Sequence, residues 1–291
     1  MTLERKSPCK VNLLLNILGK RSDGFHDLET VLHPVGLCDL LEFQQQNGDD
    51  IVLTCSDPAL PTDSSNLVHR ATTKFSQTAK ISTGVRIHLE KRIPLAAGLG
   101  GGSSNAANTL LGLNEMFGYP LKPNQLTEIA ASLGSDVPFF LQSFPALATG
   151  RGELIEALDF FPALNNVFVL LIYPGFGIPT AWAYQQLAAF PAALHGESGR
   201  AQKLISVLQT TDLQLASSAF YNSLEAPAFH KYPLLEMFQE FLRSHGAIAT
   251  LMSGSGSTTF AFVQGEERAE GLAARFKEEF GNTHWLSIVP L

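Results

Sequence analysis

The sequence predicts an α+β protein, and three observations predict it. Val85, Ile87 and Leu89 alternate with Arg86, His88 and Glu90, the period of a half-buried strand. Ala107, Leu110, Leu111, Asn114 and Phe117 then follow helical spacing, with Gly118 and Pro120 as stop signals. Several strand-like segments precede the first helix, which excludes a regularly alternating doubly wound sheet. A length of 291 residues suffices for one large or two ordinary domains.

In chain order, strands are expected near residues 10–18, 39–44, 51–54, 85–89, 167–173 and 258–263. Helices are expected near 66–78, 104–117, 125–133, 180–187, 234–245 and 266–279. The apolar run Val167–Tyr173 is far too short to span a membrane and reads as a buried strand. Residues 190–200 read as a surface excursion, and a domain boundary fits 159–166, where Pro162 and two asparagines precede a fresh strand.

Composition narrows the function. A hydrophobic fraction of 45% and a charged fraction of 16% fit a packed globular protein. Net charge of −7 argues against a nucleic-acid or anionic-membrane partner. Three cysteines without C-x-x-C spacing suggest neither a disulfide framework nor a zinc site. No secretory leader is visible, so a cytoplasmic protein is expected.

The most informative segment is Pro94-Leu95-Ala96-Ala97-Gly98-Leu99-Gly100-Gly101-Gly102-Ser103-Ser104, an uncharged glycine run between a strand and a helix. Backbone N–H groups and a helix N-terminus suit a phosphate there, and glycine lets the backbone come close. No Lys-Ser or Lys-Thr pair follows the last glycine, so a Walker A loop is excluded. Ser103 stands where a dinucleotide fingerprint needs its third glycine.

Three further segments matter. Taken singly, Lys10 beside Asn12 reads as an exposed strand lysine. Asp136, in Gly134-Ser135-Asp136-Val137-Pro138-Phe139, reads as a turn or cap residue. Ser253-Gly254-Ser255-Gly256 reads as a tight turn. Together, and in this order, they resemble the GHMP kinase superfamily over nearly the whole chain. Lys10-Val11-Asn12-Leu13 and Gly19-Lys20-Arg21-Ser22-Asp23-Gly24-Phe25-His26 look like an acceptor-side signature. The glycine run looks like the ATP loop, and the Asp136 and Ser253 segments match the remaining two motifs.

The resemblance implies a two-domain GHMP kinase fold with an ATP-binding part over 1–160 and a second part over 161–291. The first would be ribosomal-protein-S5-like and the second ferredoxin-like, with the active site in the cleft. It implies Asp136 as the base toward an acceptor hydroxyl and Lys10 as its neighbouring cation. Asn66 would contact adenine, and Pro94, Ala97, Gly98, Leu99, Gly100, Gly101, Gly102, Ser103 and Ser104 would hold ATP. Mg2+ is expected with ATP, with no ligand cluster assignable; Ser104 and Glu153 are candidates only by position.

Within the superfamily the match is to the branch whose acceptor is a cytidine-diphosphate-linked methylerythritol, on the route to isoprenoid precursors. That implies Phe25 and Tyr184 as stacking aromatics, His26 as reader of the cytosine edge, and Asn12 near the erythritol end. Phe25 stands where tyrosine is usual, which keeps the stacking surface and removes a hydroxyl. A kinase for mevalonate, homoserine or a sugar, and a silent ligand-binding regulator, are the alternatives. The expected partner is a small-molecule substrate, with no nucleic acid or membrane, and the expected state is a monomer or weak homodimer.

Overall fold

Two long strands open the chain, β1 (Thr2–Lys20) and β2 (His26–Gln46). The computed structural model describes residues 2–291 and divides them into two units, each discontinuous in sequence. The first holds the chain up to Cys9, Leu37–Pro94 and Gly100–Ser143. The second holds Lys10–Gly36, Leu95–Leu99 and Phe144–Leu291. Both long strands and the glycine run therefore contribute residues to each unit.

The first unit adds β3 (Ile51–Cys55), α1 (Leu67–Ala79), β4 (Gly84–Glu90), α2 (Gly101–Met116) and α3 (Pro123–Leu133). Strand β4 pairs antiparallel with the end of β2, from Leu40↔Glu90 to Gln46↔Gly84, and parallel with β3. This register sets Leu41, Phe43, Ile87 and Leu89 on one face, all fully buried. Helix α1 answers with Val68, Ala71, Thr72 and Phe75, the spacing of a single buried stripe. Asn66 caps it by accepting the Val68 N–H at 2.8 Å. Helix α3 begins on Pro123, and Gln125 Oε1 takes the orphan Lys122 N–H at 3.0 Å.

The second unit holds the hairpin β5 (Ala146–Thr149) and β6 (Leu154–Ala157), with β5 antiparallel to the start of β2. It continues with β7 (Val167–Tyr173), α4 (Thr180–Gln186), α5 (Pro191–Leu194), α6 (Arg200–Leu208), α7 (Leu213–Ala216) and β8 (Tyr221–Asn222). Then come α8 (Glu225–Lys231), α9 (Pro233–Ser244), β9 (Ala249–Met252), β10 (Thr259–Gln264), α10 (Glu266–Phe280) and β11 (Trp285–Pro290). Four strands form an antiparallel sheet in the order β11-β7-β10-β9. Its core joins Leu170, Ile172 and Ala261 to Phe238, Leu242 and Phe276 of α9 and α10. A second cluster gathers Leu15, Ile17, Ile178, Ala183, Leu235 and Met252, and so fixes the end of β9 against β1 and α4.

The expected mixed α+β class is observed. Residues 190–200 lie mostly at the surface, as expected, but contain α5 and are fastened down. Gly196 N–H donates to the Ile17 carbonyl at 2.8 Å, and Asn16 Nδ2 to the Glu197 carbonyl at 2.8 Å. Among the described residues, no helix is long and apolar enough to cross a membrane.

Candidate active site

Lys10 and Asn12 are two apart on β1, and therefore on one face of it. Both are buried at 3% exposure, so Lys10 is not the exposed strand lysine it could have been. Its ammonium donates to Asn12 Oδ1 at 2.5 Å and to the Gly98 carbonyl at 2.8 Å. Asn12 Nδ2 donates to Thr30 Oγ1 at 2.9 Å, which turns the amide oxygen toward Lys10. The Gly98 carbonyl also accepts from Ser253 Oγ at 3.0 Å. The Lys10 strand, the Gly98 stretch and the Ser253 loop thus meet inside the second unit. Glycine is required at 98: φ is +79°, and a Cβ would lie 2.1 Å from the Ser253 carbonyl.

Gly100, at φ +72°, is the N-cap of α2, and the helix has no side-chain cap. First-turn N–H groups left without a side-chain partner, together with the helix dipole, suit an anion. Ser104 lies behind this turn. It is fully buried, its N–H returns to the Gly100 carbonyl at 2.9 Å, and its hydroxyl accepts from Ser7 Oγ at 2.8 Å. Asn66 is also buried; besides capping α1 it donates to the Pro61 carbonyl at 2.6 Å. One donor and one acceptor of its carboxamide remain by valence.

A buried carboxylate that sequence reasoning missed holds both flanks of the glycine run in the first unit. Asp39 Oδ1 accepts the N–H groups of Arg92 at 2.7 Å and Ile93 at 2.9 Å. Its Oδ2 accepts from Asn105 Nδ2 at 2.9 Å and from the Lys91 ammonium. The signal was faint: an aspartate at the start of a strand-like stretch, with partners 52 to 66 positions away. Asp136 is half-buried in the same unit, in the turn 134–137 between α3 and the 3-10 turn Pro138–Leu141.

Phe25 stands 53% exposed between β1 and β2. The rings of His26 and Tyr184 lie 5.1 Å apart, tilted by 41°. Helix α4 carries Tyr184, and its first residue, Thr180, has its hydroxyl 3.0 Å from that of Ser255. Burial and then the Lys20 charge hold the His26 imidazole below its ordinary pKa, so it is neutral at pH 7 with one donor and one acceptor. A polar depression of about 620 Å³, lined by Gly19, Lys20, Asp27, Glu29, Thr149 and Gly150, adjoins the same chain segments.

Two more residues escaped sequence reasoning. Asn222 Nδ2 donates to the carbonyls of Met252 at 2.7 Å and Gly254 at 2.8 Å, bracing the Ser253 loop from below. Glu225 Oε1 accepts the Met252 N–H at 2.7 Å and Gln239 Nε2 at 2.6 Å. Among the described residues, no group of three or more His, Cys, Asp or Glu is placed to hold a metal ion.

Comparison with known proteins gives these features a context. The model of the GHMP kinases N terminal domain matches residues 66–143, and that of the GHMP kinases C terminal matches 202–282. The 4-diphosphocytidyl-2-C-methyl-D-erythritol kinase of Acaryochloris marina is 38% identical over 283 residues, 94% of this chain and 90% of that protein. The enzyme of the same name from Syntrophus aciditrophicus is 41% identical over 266 residues, 91% of each chain. A crystal structure of 4-(cytidine 5'-diphospho)-2C-methyl-D-erythritol kinase superposes with a TM-score of 0.83 at 34% identity, covering 99% of this chain and 100% of that one. Homoserine kinase from Cytophaga hutchinsonii superposes at 0.78 with 19% identity, over 100% of this chain and 94% of that one, a likeness of fold.

Proposed function

The chain belongs to the GHMP kinases and, among them, to the 4-diphosphocytidyl-2-C-methyl-D-erythritol kinases, and from that premise we propose the reaction and the residues that carry it. The protein transfers the γ-phosphoryl group of ATP to the 2-hydroxyl of 4-diphosphocytidyl-2-C-methyl-D-erythritol, a step toward isoprenoid precursors. The observation that carries this is the Lys10 ammonium, buried and shared between Asn12 and the Gly98 carbonyl. It joins the strand of the acceptor-side motif to the loop that resembles an ATP cradle.

Phosphoryl transfer depends mainly on positioning and on charge stabilisation. The acceptor oxygen attacks phosphorus, the bond to the ADP oxygen breaks, and Asp136 takes the hydroxyl proton. Lys10 neutralises charge on the attacking oxygen and the transferring group. Pro94, Ala97, Gly98, Leu99, Gly100, Gly101, Gly102 and Ser103 form the phosphate cradle, with Ser104 supporting it from behind. Asn66 marks the adenine end. Phe25 and Tyr184 stack on cytosine, His26 reads its edge, and Asn12 faces the erythritol. Mg2+ enters with ATP as the counterion of its phosphates. The protein works in the cytoplasm as a monomer or weak homodimer, with an ATP-binding part over 1–160 and a second part over 161–291.

The test is ADP release from ATP and Mg2+ with the cytidine substrate, run beside mevalonate and homoserine. Turnover with the first alone is expected; turnover only with one of the others sinks the assignment. Asp136→Asn should lower kcat by about a thousandfold, the range of a lost general base, while nucleotide still binds. Near-normal kcat in that variant removes Asp136 from the mechanism.

A further inference from the structure

We infer that Asn222 is a positioning residue for phosphoryl transfer, holding the Ser253 loop so that the Lys10 ammonium is fixed in place. The inference rests on the proposed action of Lys10 on the transferring phosphoryl group. Asn222 is only 2% exposed, and its carboxamide is engaged inside the protein. Its Nδ2 donates to the carbonyls of Met252 at 2.7 Å and Gly254 at 2.8 Å. Its Oδ1 accepts the Leu224 N–H at 2.9 Å. A flipped amide would set its oxygen against two carbonyl oxygens, so its neighbours allow one orientation.

Strand β1 supplies the anchor. β8 runs parallel to it, with Leu14 beside Tyr221 and Leu15 beside Asn222. Ser223 locks that register: its N–H donates to the Leu15 carbonyl at 2.8 Å, and its hydroxyl accepts the Ile17 N–H at 3.0 Å. The strand that carries Lys10 and Asn12 therefore also anchors the side chain that fixes the Ser253 loop.

From Asn222 the restraint reaches Lys10 by two short routes. Fixing the carbonyls on either side of Ser253 sets where its side chain points, and its Oγ donates to the Gly98 carbonyl at 3.0 Å. That carbonyl also accepts from the Lys10 ammonium at 2.8 Å. The second route is packing. Gly254 has φ of +57°, and a Cβ there would stand 3.0 Å from the Gly98 oxygen and 3.1 Å from Lys10 Nζ. Glu225 steadies the same loop by accepting the Met252 N–H at 2.7 Å. An ammonium on a flexible four-carbon stem needs such restraint, because a misplacement of about 1 Å can cost about a hundredfold in rate. With both N–H donors engaged on the loop, Asn222 acts through Lys10 and not on the substrate.

The experiment measures kcat, both KM values and a thermal melt for Asn222→Ala, Ser223→Ala, Ser253→Ala and Lys10→Ala. Asn222→Ala should lower kcat about a hundredfold and leave the KM values for ATP and acceptor within about threefold. Ser223→Ala is the control, because it removes a buried hydrogen bond to β1 without releasing the Ser253 loop. It should lower the melting temperature and keep kcat within about twofold. Asn222→Ser keeps one hydroxyl at the position and should recover part of the lost kcat; it carries the comparison if Asn222→Ala does not fold. Asn222→Ala and Ser253→Ala should be coupled, the double variant losing clearly less than the product of the single losses. Losses that simply multiply would overturn the route through the Ser253 loop. A fall in kcat in Ser223→Ala equal to that in Asn222→Ala would make Asn222 merely structural, and a main effect on either KM would also overturn the inference. If Lys10→Ala abolishes turnover while Asn222→Ala keeps near-normal kcat, the inference is wrong and the proposed role of Lys10 stands. If Lys10→Ala itself keeps kcat, the role of Lys10 is misassigned and Asn222 falls with it.

Discussion

At position 98 a single methyl group decides whether the glycine loop can meet the Ser253 loop. The Ser253 carbonyl stands 2.1 Å from where a Cβ would be, and backbone cannot swing aside as a flexible side chain can. Gly98→Ala is therefore expected to destabilise by about 1–3 kcal/mol, the range for overpacking, and to weaken ATP binding by displacing the carbonyl that holds Lys10. Urea unfolding and nucleotide titration read the two effects; an unchanged midpoint would show that the loops separate freely. His26 gives a prediction in pH. Its pKa lies below the ordinary imidazole value, so the ring stays neutral at pH 7 and keeps an acceptor nitrogen for the cytosine edge. The acceptor KM should be flat above that pKa and rise as pH falls through it, with the KM for ATP unaffected at the same step. In His26→Ala the acceptor KM should be high throughout, and persistence of the step in that variant assigns it to another group. Lys10, Asp136, Phe25 and His26 stood out as candidates because polar or aromatic residues stand in ordered motifs. Asp39 did not, because what singles it out is partners supplied from far along the chain.

At the scale of elements, sequence reading succeeded where an element carries a one-sided stripe or an unbroken apolar run, and failed where polar residues interrupt a fully buried stretch or the element is very short. Val167–Tyr173, α1 and α10 emerge close to their expected bounds because each shows a clear run or stripe. The start of β2 is buried from Leu28 to His33 on both faces, so it shows no alternation and only its later part was visible. Strand β8 has two residues and is held by β1, a partner remote in sequence, while β9 has only four and pairs with the neighbouring β10. The end of β9 carries a pH-dependent brace. Glu225 lies half-buried at the start of α8, with its carboxyl pushed up to about 7 by desolvation; Glu236 adds to the rise, and Gln239, the Met252 N–H and Arg243 oppose it. Between the reference value of 4.5 and about 7, the folded state binds more of this proton than the unfolded state. Its contribution to stability therefore falls as pH climbs through that window, and is fully present below it. Glu225→Gln keeps an oxygen for the Met252 N–H and removes the titration. Its melting temperature should match the parent near pH 4.5 and exceed it at pH 8. An equal decline in both proteins across the window would place the effect elsewhere. The Asp39 brace answers a different test, because Asp39→Asn replaces one acceptor facing Lys91, Asn105 and two backbone N–H groups by a donor. It should raise the KM for ATP while leaving that for the acceptor in place, and an effect on both alike would make the brace merely structural.

On the scale of the whole molecule, the two family models and the two folding units cut the chain differently. The models match 66–143 and 202–282, either side of residue 160, where Pro162 and the asparagines suggested a boundary. The units are interleaved: the second takes Lys10–Gly36 from the N-terminal part and is continuous only from Phe144 onward. Sequence signals mark where the chain turns, but a contact unit depends on which segments return to it, and no local pattern records that. A division at 160 is thus proposed as a boundary between sequence families and not between pieces that fold alone. A fragment of residues 161–291 would lack Leu15 and Ile17, which complete the cluster around Ile178, Ala183, Leu235 and Met252. It would lack the β1 partner of β8, since Leu14 pairs with Tyr221. It would also lose Glu29, whose carboxylate accepts the N–H groups of Gly199 and Ala201 at 3.2 Å each at the start of α6. Removing several fully buried aliphatic side chains costs a few kcal/mol apiece, against a total stability of about 5–15 kcal/mol for a domain. The fragment is therefore expected to show weak helical signal and no cooperative melt in circular dichroism, and the 1–160 fragment likewise, since it carries Lys10–Gly36 without most of their partners. Mixing the two should restore a cooperative transition and some ADP release, because the missing surfaces are supplied by the other piece. A sharp melt of 161–291 alone would show that the four-stranded sheet and its helices need nothing from β1 or β2.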